Sequence, residues 1–196
     1  SRVSVKEMAA WISSDVDAIC AVLTDAIHEA DDELDDDLRE CTFQSCRANV
    51  AMIATMLGDE ADPSLAMAPP EAVFYAREYA RRRLGLDKLL AAYRFAHQRF
   101  IRLMVEHLED STPTVEGLSE ATTFCSDWLF AWMDAVLKDV TGVYMEERER
   151  WVRTSAAIRA ESVRAILDGR ATDTRELSTR LNYDLQLRHV ALVLWG

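Results

Sequence analysis

Apolar side chains return every three or four residues along most of this chain, and that period fits helices and little else. Met8, Trp11, Ile12, Val16, Ile19, Leu23 and Ile27 share one face of a helix predicted over 4–29. A second clear stripe, Leu89/Leu90, Tyr93, His97, Phe100/Ile101, Met104 and Leu108, predicts a helix from an N-cap at Asp87 to about Leu108. Breakers are scarce, with six Gly and four Pro in 196 residues, and Gly58, Gly85, Pro113 and Gly169 fall where stripes end. Further helices are predicted over 34–57 and 70–84. Another starts from Thr114 as N-cap and passes through Leu118, Phe124, Trp128, Trp132, Val136 and Val140. The last two cover 143–167 and 174–181. The fold class is therefore all-α, a bundle of about six helices followed by a short one. A bend at Thr141–Gly142 stays open, because glycine lowers helix preference by only about 1 kcal/mol.

The end of the chain reads differently. His189–Trp195 is an unbroken apolar run, β-branched and closed by an aromatic residue, and it predicts a buried strand. A lone strand cannot satisfy its own backbone groups. The sequence is accordingly read as the N-terminal piece of a longer protein, ending one strand into a truncated α/β domain.

Charge excludes several functions. A net charge of −12 argues against nucleic-acid binding by this segment, since phosphate contacts dominate such affinity. It equally disfavours anionic membrane surfaces, and no apolar run approaches the roughly 18–20 residues of a membrane span. The acidic stretch Glu29–Asp37 suits the positive end of a helix dipole, whereas a calcium loop would need a turn glycine and a late glutamate that it lacks. Cys20, Cys41, Cys46 and Cys125 show no Cys-x-x-Cys spacing and read as reduced core thiols of a cytoplasmic protein, with Cys41/Cys46 the one pair close enough in sequence for a redox sensor.

No phosphate loop, metalloprotease helix or nucleophile elbow is present, so no enzyme, metal or cofactor is expected. His97 and His107 lie ten residues apart on one helix, roughly 80° apart in direction, which makes them poor co-ligands. The plain reading of His97 is a satisfied core histidine, and of Trp128 and Trp132 core packing. The sharper reading is an aromatic small-molecule pocket built from Tyr93, Arg94, His97, Trp128 and Trp132, with an axial haem ligand at His97 as a remote variant. Arg81–Arg83 reads as a solvated helix face.

The segment 143–167 has charged flanks and a narrow seam. Tyr144, Trp151, Ile158 and Ala165 repeat every seven residues, with Val152, Ala156, Val163 and Leu167 beside them. Glu146/Arg150 and Glu149/Arg153 are helix pairs in the favourable order. Thr154 and Glu161 interrupt the seam, so a strict coiled coil is not expected. Two readings stand: a surface helix packed on its own domain, or a dimer and signal helix.

The run Tyr75–Arg94, with Tyr144-x-x-Glu-Arg-Glu-Arg-Trp151, Arg159-x-Glu-x-Val-x-x-Ile-Leu-Asp-Gly169 and Leu181–Leu185 before the final strand, resembles the N-terminal region of PucR/CdaR-type bacterial transcriptional regulators. That resemblance implies a globin-like helical sensory and dimerisation domain similar to those of RsbR-type proteins (1–142), an exit helix (143–169), and the start of a GGDEF-like domain (170–196). Asn182 stands where glycine is expected. The resemblance further implies a homodimer, an unidentified small-molecule effector, and DNA contact only through a C-terminal domain that this sequence does not contain.

Overall fold

The computed structural model describes residues 5–112, 114–170, 173–181, 183–185 and 187, with backbone only at 174 and 180. Among these, all regular structure is helical. The predicted strand 189–195 and the departure at Asn182 lie outside the described residues.

The single helix predicted over 4–29 is two, α1 (Val5–Ser14) and α2 (Val16–Glu29). The break falls at Asp15, after two serines. The Ser14 hydroxyl bonds to the Trp11 carbonyl at 2.8 Å, a local bond that competes with the helix ladder. Asp15 still donates to Trp11 O at 3.1 Å and accepts from Ile19 N at 2.9 Å, so the chain turns without losing backbone bonds. In α3 (Asp36–Gly58) the acidic stretch does cap the helix: Asp35 accepts from Leu38 N at 2.8 Å. A 3-10 turn (Pro63–Leu65) leads to α4 (Pro70–Arg81), with proline at its first position. This helix stops earlier than predicted because Arg83 takes a left-handed φ of 63°. In α5 (Leu86–Ser111) Gly85 occupies the N-cap, so Asp87 lies inside the first turn.

Then α6 (Val115–Leu167) runs unbroken for 53 residues. The helix expected to begin at Val143 is its second half, and Thr141–Gly142 is ordinary helix. Val136, Val140 and Tyr144 are buried on one face across that point, and their burial outweighs the cost of about 1 kcal/mol for a glycine. Thr114 accepts from Gly117 N at 3.2 Å, the predicted cap.

The chain forms two compact units, 1–147 and 148–196. In the first, α3 is the central helix, packed against α1, α2 and α4, while α5 packs on α2 and α4. Long-range hydrogen bonds tie helix α6 to the rest of this unit. Trp128 Nε1 donates to Ala61 O at 3.4 Å and Ala68 N to Asp139 Oδ2 at 3.0 Å. Tyr144 OH donates to Leu84 O at 2.8 Å, and Arg81 Nε to Glu147 at 3.0 Å.

In the second unit α6 ends in a left-handed Gly169 (φ 68°), with Arg170 N bonded to Ala165 O at 3.0 Å and Gly169 N to Ile166 O at 3.1 Å. This closure is the one glycine supports best, and it satisfies the last helical carbonyls. Asp173 caps α7 (Thr174–Leu181) by accepting from Arg175 N at 2.9 Å. Among the described residues, no helix is long and apolar enough to cross a membrane.

Candidate functional site

The inward face of α3 is where the sequence breaks its own rule. Leu38, Thr42, Ser45, Asn49 and Ile53 succeed one another at steps of four and three, in phase with the core, and the middle three are polar and buried. Burying polar groups costs free energy unless each finds a partner. Thr42 does. Its hydroxyl proton goes to Leu38 O at 2.8 Å, and its oxygen lies 3.2 Å from Tyr75 OH and 3.1 Å from His28 Nε2. Thr42 is thus the shared centre of a buried network that joins Leu38, Tyr75 and His28. Tyr79 OH lies 3.1 Å from Tyr75 OH and extends the network, which runs Leu38–Thr42–Tyr75–Tyr79.

Thr42, Ser45 and Asn49 also line a cavity of about 60 Å³ between α2, α3, α4, α5 and α6. Its walls include Ile53, Phe100, Leu129 and Met133, apolar side chains on three of those helices. Four buried polar atoms of its lining have no hydrogen-bond partner: Asn49 Oδ1, Tyr93 OH, His97 Nε2 and Trp132 Nε1. Asn49 is oriented by its amide nitrogen, which donates to Ser45 O at 2.9 Å and leaves Oδ1 facing away from that bond. Groups of this kind are rare in native interiors and ask for a reason.

Burial holds every ionisable group of this lining neutral. It pushes the Cys46 thiol up to about 12 and lowers the His97 imidazole below its usual value. It also raises Tyr75 and Tyr93, with Ser45 and Asn49 opposing the rise at Tyr93 without completing a bond to it. No Asp, Glu, Lys or Arg lines the cavity. Among the described residues, no group of three or more His, Cys, Asp or Glu is placed to hold a metal ion.

A family model described as the RsbT co-antagonist protein rsbRD N-terminal domain matches residues 13–159. The chain belongs to that family. No curated protein and no solved structure gives a match. The match takes in all the helices that wall the cavity and ends inside α6, eight residues before that helix does (167 − 159).

Of the five residues expected to line a ligand pocket, this RsbRD-type domain brings three together: Tyr93, His97 and Trp132. Arg94 is exposed, pointing to a different surface depression with Asp31 and Lys88. Trp128 sits in a separate cavity with Phe124 and spends its indole N–H on Ala61. His97 is not the satisfied core histidine expected of its stripe: its ring lies 4.8 Å from that of Phe130 and its Nε2 is unpartnered. A porphyrin does not fit, since benzene alone occupies a cavity of about 150 Å³. Sequence reasoning missed Thr42, Ser45 and Asn49, although their spacing in phase with Leu38 and Ile53 was the available signal.

The remaining features are structural. Arg81 pairs with Glu78 and Glu147, and Arg82 bonds to Asp35 at 2.6 Å, so two of the three arginines serve the bundle itself. All four cysteines are free. Burial raises each thiol, to about 12 at Cys20 and about 11 at Cys125, which leaves them protonated and unreactive. His107 stacks on Trp11 with ring centroids 4.3 Å apart.

Proposed function

We propose that this is the sensory and dimerisation domain of a bacterial transcriptional regulator of the PucR/CdaR type. In this reading a small effector binds the bundle, and α6 carries the change to a GGDEF-like domain and a DNA-binding domain further along the full-length protein. The observation that carries the reading is a shared helix. Leu129, Trp132 and Met133 wall the cavity, and the same helix continues through Tyr144 to Leu167. A ligand larger than 60 Å³ must displace Trp132 or the pliable Met133, and packed helices answer such displacement by shifting as units.

Dimerisation is supported by the second unit. Trp151 is 41% exposed and Ile158 42%, two large apolar side chains seven residues apart on one face of the helix. The resemblance to PucR/CdaR regulators supplies the downstream domains, and family membership supports a signalling role.

Two measurements test this. Native mass spectrometry of the chain should show a dimer at micromolar concentration; a monomer there sinks the dimerisation claim. Hydrogen exchange over 148–167 should change when Ala96→Leu fills the cavity. Unchanged exchange in a folded variant removes the case for transmission through α6.

A further inference from the structure

We infer that the cavity among α3, α5 and α6 is a site for a small uncharged molecule carrying both a hydrogen-bond acceptor and a donor, the class of short amides and alcohols. The inference rests on the sensory reading above for its biological use, but its evidence is the lining itself. Trp132 Nε1–H can only donate, so the ligand must present an acceptor to α6. Asn49 Oδ1 is an amide oxygen and can only accept, so the ligand must present a donor to α3. Tyr93 OH and neutral His97 Nε2 can each complete either role from α5. A bond from the Asn49 amide to Tyr93 would retire one of these atoms and still leave Asn49 Oδ1, Trp132 Nε1 and His97 Nε2 unpaired.

Asn49 is 8% exposed, Tyr93 9% and Trp132 5%, so bulk water does not satisfy them. A charged ligand is excluded by the walls. No side chain there carries a formal charge, and an unpaired ion in such surroundings costs far more than these dipoles return. Hydrocarbons are excluded by the opposite argument, since they would leave four polar atoms unpaired.

Size narrows the class further. Scaled against a benzene-sized cavity of about 150 Å³, a volume of 60 Å³ takes about two to four non-hydrogen atoms. The ceiling on binding energy per atom puts such a ligand no tighter than roughly tens of micromolar. Chain extension beyond that size runs into Met133 and Phe100, both apolar.

The test is a titration of the intact chain with acetamide and propan-1-ol, against acetate and propylammonium as charged counterparts. The readout is the Trp132 indole N–H resonance, identified by its loss in Trp132→Phe. A saturable shift with the neutral probes at millimolar concentration, absent with the charged ones, is the expected result. Tyr93→Phe should weaken the response about tenfold. Ala96→Leu, checked for folding by circular dichroism, should abolish it by filling the space. Three results each overturn the inference: no saturable shift with any neutral probe, equal binding of acetate, or contacts from Trp132 N–H to water alone that no probe disturbs. Binding that leaves exchange over 148–167 unchanged keeps this site and removes the signalling role. Altered exchange in Ala96→Leu without probe binding does the reverse.

Discussion

Tyr144 on α6 donates its hydroxyl proton to the backbone carbonyl of Leu84 at 2.8 Å, joining residues 60 apart in sequence. The ring is 5% exposed, so this member of the heptad seam faces its own bundle, while Trp151 and Ile158 remain half-exposed. Three residues on, Glu147 bonds to Arg81 at 3.0 Å, and the first compact unit ends there. The two bonds join α6 to distant segments of the bundle near the end of that unit. Removing the hydroxyl in Tyr144→Phe keeps the packing and loses the bond. The expected cost is about 1 kcal/mol, read by urea denaturation, with faster amide exchange from 140 to 150. Unchanged exchange there means that packing alone fixes the helix.

The chain from Tyr79 through Tyr75 and Thr42 to Leu38 predicts a larger penalty at its centre. Thr42→Val conserves shape but leaves Tyr75 OH and His28 Nε2 without their hydroxyl partner in a buried setting. Destabilisation of about 1–3 kcal/mol is expected. The partner variant Tyr79→Phe removes only the outermost hydroxyl and should cost less. Equal costs from the two variants would refute Thr42 as the centre of the network.

Two histidines make the stability of the fold depend on pH below neutrality. Burial lowers the His28 and His97 rings below their usual value, with Arg39 adding to the effect at His28 while Asp25 and Asp31 oppose it. An unfolded histidine takes up its proton near pH ~6.5. The folded rings take theirs at lower pH, so between those two values the unfolded chain binds more protons and stability rises with pH. This contribution is full above the unfolded value and is lost as pH falls toward the folded one. Stability measured from pH 7 to 5 should therefore decline, and a His28→Asn, His97→Asn double variant should flatten the decline. Asp35 works in a separate window. Its carboxylate is held below the usual range, first by the Leu38 N–H, so its contribution disappears only at more acidic pH.

The helices were legible because their signals are local. The stripe through Leu89, Phe100 and Met104, the acidic cap before Leu38, the cap at Thr114 and the stop at Gly169 each need only neighbours in sequence. The break at Asp15 was not, because the apolar phase runs straight across it and only the Ser14 side-chain bond marks the turn. Nor was the continuity of α6 through Gly142, which depends on burial of Val140 and Tyr144 against partners far along the chain. The site shows the same division. Tyr93, His97 and Trp132 were nameable as aromatics in phase with a core. Arg94 and Trp128 share those stripes, yet one residue or one helical turn carries them out of the cavity. Asn49 was invisible as a single residue; its meaning comes from Trp132 and Tyr93 arriving opposite it on other helices.

A buried tyrosine replaced by phenylalanine ordinarily loses stability, because its hydroxyl had a partner. Tyr93 should behave in the opposite sense. Its hydroxyl is buried and unbonded in the free domain, so it carries a desolvation cost with no bond to offset it. Tyr93→Phe keeps the ring against the core and removes only that cost. The free domain should gain about 1 kcal/mol or more in urea denaturation, while losing affinity for the neutral probes. A binding site often carries this signature, since groups kept ready for a ligand are strained in its absence. A loss of stability of similar size would instead place the hydroxyl in a bond to Ser45 or Asn49, and the cavity would keep only the donor of Trp132 and the ring nitrogen of His97 to hold a ligand.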